Sequence, residues 1–435
     1  MNVILFVACL LVTFLQQVVA QSFSQWGNLE PGKYPVGYTT LIKTDYSRTY
    51  GSNPRTVQMY IWYPAKSTSR EKTVYESYFG DVANDWGEHG SRKDSLGKML
   101  IREFKSGALN PSFGGVISDS SFSKIMDNPI PVKRNANSAA GRFPLILHIS
   151  ANGALHQSVM LEFLASHGYV VISMSMYGSS PAFYGRGEAG PKGLLAMTED
   201  LAFAIAQSRT LGFVDTSKTA VIGMMAQAGI SLQMKEKLVD AIACLDCFTD
   251  KQILQTLPFY EPRSVRLKIL QITNKAFGNM NRFLLDSLIY ADRFEVKING
   301  LQHPDFYPFP RIASSEKAKQ QLMYDLILRN TLMFLDFAFS KKGDYQGISA
   351  EVKKYPATGI MPTEAEFLEW LRFGSMDRVR TAWREFGKEL SGQQNFFSVV
   401  LFLARDKSIF AKEAFEMYSS VYPNDTRLKM ISQFL

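Results

Sequence analysis

Three positions in this sequence carry residue types and spacings that bear on chemistry. The segment Gly223-Met224-Met225-Ala226-Gln227 follows a strand-like run, Thr219 to Gly223, and precedes a short helix-like stretch from about Ala228 to Leu238. A strand-to-helix turn of the form Gly-x-Ser-x-Gly presents a nucleophilic hydroxyl, and its small flanking residues let strand and helix approach. Here the first glycine stands, Met225 occupies the nucleophile position, and Gln227 replaces the second glycine. A thioether has no proton to surrender to a base and would form an unstable sulfonium, so the acyl-enzyme route is closed at Met225. Asp246 lies in Ala-Cys-Leu-Asp-Cys near the end of the next strand-like run, 21 residues on (246 − 225). His303, 57 residues further (303 − 246), lies in Leu-Gln-His-Pro-Asp-Phe just after the last strand-like run before a long helix. The order nucleophile position, acid, histidine suits an acid that orients an imidazole and an imidazole that serves as general base.

Each of these residues also has a plainer reading. His303 can be a working base, a retained but idle residue, or a structural histidine; the idle reading leads because its proton partner is missing. Asp246 sits where an unpartnered carboxylate is costly, so a hydrogen-bonding partner such as His303 is expected with or without chemistry. Ser231 as a displaced nucleophile would fall two turns into the following helix, roughly 9 Å along its axis from Met225, and is set aside. His148, inside a strand, and His167, closing a helix before Gly168, read as structural. Cys9 belongs to the leading segment, while Cys244 and Cys247, three apart on a strand, point to opposite faces with Cα atoms roughly 10 Å apart. Two buried thiols are expected, and no spaced set of metal ligands or cofactor motif is evident, so neither metal nor cofactor is expected.

The elements that must position these residues follow from the hydrophobic rhythm. Val36 to Tyr46 and Val57 to Tyr63 are rich in β-branched and aromatic residues, with turn formers over Tyr50 to Arg55, and predict an antiparallel start. From Lys66 to Arg142 the chain is polar and mixed, with a helix near Lys98 to Phe104, and reads as an insertion or cap. Strand-like runs over Phe143 to Ser150, Tyr169 to Met176, Thr219 to Gly223, Ala241 to Phe248, Leu267 to Thr273 and Arg293 to Ile298 then alternate with helical patterns. Those patterns cover Gln157 to His167, the residues around Leu194, Met197, Leu201 and Ile205, Arg282 to Ala291, and Ser315 to Phe339. This predicts an α/β fold of about eight strands, mostly parallel, covered by helices on both faces. Beyond about Ser349 the strand signals stop and four helices are predicted: Thr363 to Phe373, Met376 to Leu390, Asn395 to Leu403, and Lys407 to Tyr418. Ala411-Lys-Glu-Ala414-Phe415 with Tyr422-Pro423-Asn424 resembles part of a tetratricopeptide helix pair, but one unit does not make an array, and a helical appendage is the leading reading.

Taken together, the residues resemble the α/β-hydrolase superfamily, and within it the secreted platelet-activating factor acetylhydrolases and the bacterial dienelactone-hydrolase-like proteins. The likeness spans roughly Val36 to Phe339. It rests on Trp62-Tyr63-Pro64-Ala65, Phe163-Leu-Ala-Ser-His-Gly-Tyr-Val-Val171, Ala220-Val-Ile-Gly223, Leu245-Asp246 and His303-x-Asp305-Phe306. The resemblance implies an α/β-hydrolase fold, a carboxylic-ester hydrolase ancestry, Asp246 as the acid and His303 as the base. The family's oxyanion strand ends in Ser-His-Gly; here it reads Ser150-Ala151-Asn152-Gly153. Ala151, Asn152 and Ala226 are therefore the oxyanion-hole candidates, since backbone N–H groups donate regardless of side chain.

Composition limits the remaining options. At 435 residues and 46% apolar, the chain can bury a large core, and 20% charged residues is ordinary for a globular protein. The formal charge of +8 is scattered, with pairs such as Lys341-Lys342 and Lys353-Lys354 as its densest clusters, so a nucleic-acid partner is not expected. Met1 to Ala20, with an apolar run from Val3 to Phe14 and Val18-Val19-Ala20 before Gln21, reads as a secretory signal peptide. Export to the outside or a periplasm is expected, with no integral membrane segment once the signal is removed; the alternative is a segment kept uncleaved as an anchor, although its apolar run is shorter than the roughly 20 residues a spanning helix needs.

The expected organisation is thus a signal peptide over 1–20, a hydrolase-like domain over 21–348 with its insertion at 66–142, and a helical extension over 349–435. The leading functional reading is an exported, catalytically impaired hydrolase-like protein that binds a lipid or ester-like small molecule, or a protein partner through its C-terminal helices. One alternative is an active ester hydrolase with a non-standard nucleophile, such as water activated by His303 with Asp246. Another is a structural or interaction protein whose pocket has collapsed around Met224 and Met225.

Overall fold

The computed structural model describes residues 25–50, 53–66, 73–84, 91–106, 117–150, 153–175, 191–224, 238–246, 262, 265–274, 288–309, 317–340, 344–348, 350–355 and 362–435. The expected signal peptide, the Cys247 thiol and Ser231 lie outside the described residues, as does the helix expected over Ala228 to Leu238. Of the helix expected over Arg282 to Ala291, only 288–291 is described, and it is turn and bend.

The strands, in chain order, are β1 (Val36–Tyr50), β2 (Asn53–Pro64), β3 (Thr73–Val74), β4 (Pro129–Ile130), β5 (Val132–Arg134) and β6 (Phe143–Ser150). They continue with β7 (Val170–Ser175), β8 (Val214–Met224), β9 (Ala241–Leu245), β10 (Lys268–Ile272), β11 (Asp292–Lys297) and β12 (Glu351–Tyr355). Ten of them form one sheet in the order β12-β11-β10-β9-β8-β6-β7-β2-β1-β5, while β3 and β4 pair separately. β6 to β11 run parallel to their neighbours within this set, whereas β1, β2 and β12 contribute antiparallel pairings.

Two strands exceed the eight expected, and each escaped for a physical reason. β5 is three residues inside the polar insertion, and it joins the sheet by lying parallel to Val36–Tyr38 of β1. The stretch 66–142 is therefore not wholly separate from the sheet. β12, Glu-Val-Lys-Lys-Tyr, is an exposed edge strand whose charged side chains carry no hydrophobic run, as edge strands commonly do. It pairs antiparallel with β11, so strands do not stop at Ser349. The compact units divide instead at Tyr355 and Pro356.

Alternation along the parallel strands builds two apolar layers. Leu145, Leu147 and Ile149 of β6 pack on one face with Ile172 of β7, Val221 of β8 and the helix Pro191–Ser208, through Leu201, Ala204 and Ile205. Ile146, Val171, Ala220, Ile222 and Leu245 face the other layer, against the helices Gly153–Ser166 and Lys317–Ser340 and much of the insertion. This period of two, with both faces apolar, is what a sheet sandwiched between helix layers requires. His148 points into the second setting as a fully buried residue, its Nδ1 2.9 Å from the Ser173 hydroxyl directly across the β6–β7 pair.

The insertion is richer than one helix. It contributes helices Ser77–Asn84, Ser91–Lys105 and Asp119–Met126, and the second of these encloses the helix expected at Lys98 to Phe104. The C-terminal unit, 356–435, is helical as expected, with Glu364–Arg372, Met376–Phe386, Gln393–Arg405, Ala411–Val421 and the short Leu428–Ser432. Its first helix starts on a capping box between Thr363 and Glu366. Among the described residues, no helix is long and apolar enough to cross a membrane.

Candidate functional site

The strand order reverses about β6: the chain steps from β6 to β7 on one side, then returns to place β8 on the other. In open α/β sheets such a switch point opens a crevice at the carboxyl ends of the strands, where ligands and catalytic groups gather. β6 ends at Ser150, β8 at Met224 and β9 at Leu245, so the sequence-predicted site positions follow three adjacent strand ends.

Asp246 is the residue immediately after β9. The strand was expected to run on to Phe248, but Asp246 leaves the pleat with φ +48°, in the left-handed region that aspartate tolerates better than most side chains. Its backbone N–H still donates to the Ile272 carbonyl at 2.7 Å, which anchors the turn to β10. The side chain is fully buried. Oδ1 accepts from the Asn274 side-chain amide at 2.5 Å and from the Asn274 backbone N–H at 3.3 Å. Oδ2 accepts from Nδ1–H of His303.

His303 is held from its own side as well. It opens a one-turn 3-10 helix, His303–Phe306, whose start is fixed by the Asp305 carboxylate accepting from the Gln302 N–H at 2.8 Å. The His303 ring packs edge-on against Tyr307 at 5.5 Å between centroids. With Nδ1 engaged by Asp246, Nε2 is the proton-accepting nitrogen of the neutral ring, the arrangement a general base needs. The two residues that sequence placed 57 positions apart thus meet at the carboxyl edge of the sheet, with the imidazole partly exposed and the carboxyl fully enclosed.

One further residue ties this pair to the end of β8. Gln157 departs from helical geometry within Gly153–Ser166, at φ −127° and ψ 15°. Its side-chain amide donates to the Phe306 carbonyl at 2.9 Å and lies 3.9 Å from the Met224 sulfur. One buried amide therefore links the helix after β6, the histidine turn and the end of β8. His156, its neighbour, is buried beside Tyr307 and Phe104, at 6.2 and 6.4 Å between ring centroids. Burial pushes its pKa down to about 3, and that of His148 likewise, so both are neutral.

Met225, Ala226, Ala151 and Asn152, the expected nucleophile position and oxyanion-hole candidates, lie outside the described residues. Cys244 is a buried free thiol in β9. Among the described residues no group of three His, Cys, Asp or Glu side chains is placed to hold a metal ion. Asn274 and Gln157 were not singled out by sequence. Asn274 carried a usable signal, since it follows a parallel strand by two residues, at the end where such sheets place their sites. Gln157 carried none, because a mid-helix glutamine reads as solvent-facing.

The same helix carries Glu162, buried and bridged between Trp26 Nε1–H at 2.9 Å and the Tyr78 hydroxyl at 2.9 Å; Tyr78 in turn accepts from Trp62 Nε1–H. Burial pushes the Glu162 pKa up to about 7 against the opposing pull of its two donors. A folded-state pKa above the unfolded value means this group's stabilising contribution is complete below about 4.5 and is lost as pH rises through about 7. The buried histidines act in the opposite sense, losing stability as pH falls below about 6.5. Comparison with Glu162→Gln isolates the carboxyl. The stability of the natural chain relative to the variant should fall by about 3 kcal/mol between pH 4.5 and 7. Urea titrations across that range check the slope, and a constant difference would contradict it.

No protein-family model matches the chain, and no curated protein matches it in sequence. Among solved structures it is similar to a ferulic acid esterase from Streptomyces cinnamoneus, with a TM-score of 0.51 and 16% identity over 75% of this chain and 98% of that one. At such low identity the likeness is one of fold. The chain shares with that structure a mixed α/β architecture, a mostly parallel sheet flanked by helices.

Proposed function

We propose that this protein is an exported, catalytically silenced α/β-hydrolase of carboxylic-ester hydrolase ancestry, related in pattern to the platelet-activating factor acetylhydrolases and the dienelactone-hydrolase-like proteins. The observation that carries the reading is the Asp246–His303 hydrogen bond, buttressed by Asn274 at the carboxyl edge of the sheet, in a chain whose elbow sequence offers methionine at 225. An acid so placed fixes the tautomer and orientation of an imidazole base. Without a hydroxyl to deprotonate they cannot form an acyl-enzyme.

In this reading the pair persists as an ordered polar centre, and the old crevice takes a lipid or ester-like molecule without cleaving it. Turnover of short-chain p-nitrophenyl esters tests the proposal. The purified chain should hydrolyse them no faster than a His303→Ala variant. A rate that drops at least tenfold on removing His303 would mean that the imidazole works after all, with water or another group as nucleophile.

A further inference from the structure

We propose that two adjoining loop tips of the C-terminal helical unit form a docking surface for an anionic lipid bilayer. The tips follow the helices Glu364–Arg372 and Gln393–Arg405. Phe373 and Ile409, one on each tip, are 72% and 87% exposed. The tips touch: a Cβ added to Gly374, which takes φ +75°, would lie 2.6 Å from the Phe410 ring. Phe402, in the last turn of Gln393–Arg405, adds a third exposed ring to the same region.

Cations stand among these side chains. The Arg372 guanidinium lies 4.7 Å from the Phe402 ring centroid and 5.8 Å from that of Phe373. Arg405 stands one helical turn from Phe402, and Lys407 follows within the second tip. Elsewhere in the unit Arg380 and Arg427 are neutralised by Glu413 and Asp425. Arg372, Arg405 and Lys407, by contrast, make no ion pair among the described residues, and Asp406 is the acid placed between the last two.

Projecting apolar tips backed by unpaired cations match an interface in which acyl chains lie beneath a layer of anionic headgroups. Phenylalanine and isoleucine enter the boundary region, while arginine and lysine stems lie along apolar surface and keep their charge among the phosphates.

Co-sedimentation of the full chain with vesicles tests the assignment. It should pellet with phosphatidylcholine vesicles containing about 30% phosphatidylserine, poorly with phosphatidylcholine alone, and less at about 0.5 M NaCl. Phe373→Ser with Ile409→Ser should weaken binding at least tenfold, and Arg372→Glu with Arg405→Glu should abolish the preference for phosphatidylserine. All four side chains are exposed, so melting temperatures should be unchanged. The proposal is overturned if the natural chain does not pellet with the anionic vesicles or if the Ser pair binds them as well as the natural chain. Self-association dispersed by the same Ser pair, without vesicle binding, would overturn it in favour of contact between copies.

Discussion

Met225→Ser combined with Gln227→Gly is expected to give an esterase where the natural chain is proposed to lack that activity, with turnover of p-nitrophenyl acetate at least about 10³-fold above the parent. The serine supplies a hydroxyl at the proposed nucleophile position, for which His303 and Asp246 are the proposed base and acid. Asp246 holds the His303 tautomer through Nδ1, which leaves Nε2 to take the hydroxyl proton. The glycine removes a side chain from a turn in which strand and helix must come close. Each substitution alone should recover less, because serine alone lacks the second small residue of the Gly-x-Ser-x-Gly pattern and glycine alone brings no nucleophile. If the double variant is folded yet inert, and its rate is insensitive to removing His303, the crevice has drifted along with its nucleophile.

Asp246→Ala is expected to destabilise the fold by about 3–5 kcal/mol. The change strips acceptors from three donors at once, namely the Asn274 side-chain amide, the Asn274 N–H and His303 Nδ1–H. It also places alanine at φ +48°, a conformation that alanine adopts less readily than aspartate or asparagine. Since a domain is stable by only about 5–15 kcal/mol, the alanine variant can fail to fold, and Asp246→Asn is the companion measurement. Asparagine tolerates the left-handed backbone and keeps one acceptor, so its loss should be about half as large. Urea midpoints at constant m-value report both. A loss below about 1 kcal/mol for the alanine variant would mean that the carboxyl is not held by these partners in solution.

Much of this architecture is written locally in the chain. The runs Phe143 to Ser150 and Tyr169 to Met176 became β6 and β7 within a residue or two at each end, because both faces of an interior parallel strand are apolar and the run stands out. The helix Lys317–Ser340 matched its pattern as closely. What the sequence hid was short or charged: β5 is held by backbone pairing to β1, and β12 by pairing to β11, neither of which leaves a hydrophobic signature. At the site, the pairing of Asp246 with His303 could be anticipated because both follow strand ends on the same edge of the sheet. Their supports were less legible. Asn274 and Gln157 act through geometry that only folding brings together, and Glu162 is an acidic residue on an apolar helix whose burial depends on Trp26 and Tyr78, at least 84 positions away.

Intact-mass spectrometry after exposure to a fluorophosphonate probe bears most directly on the proposal that methionine at position 225 leaves the chain without a hydrolase nucleophile. The natural chain should gain no adduct under conditions that fully label the Met225→Ser, Gln227→Gly variant on its new serine. A stoichiometric adduct on any serine of the natural chain, lost when His303 is replaced by alanine, would show a working nucleophile elsewhere and contradict the account.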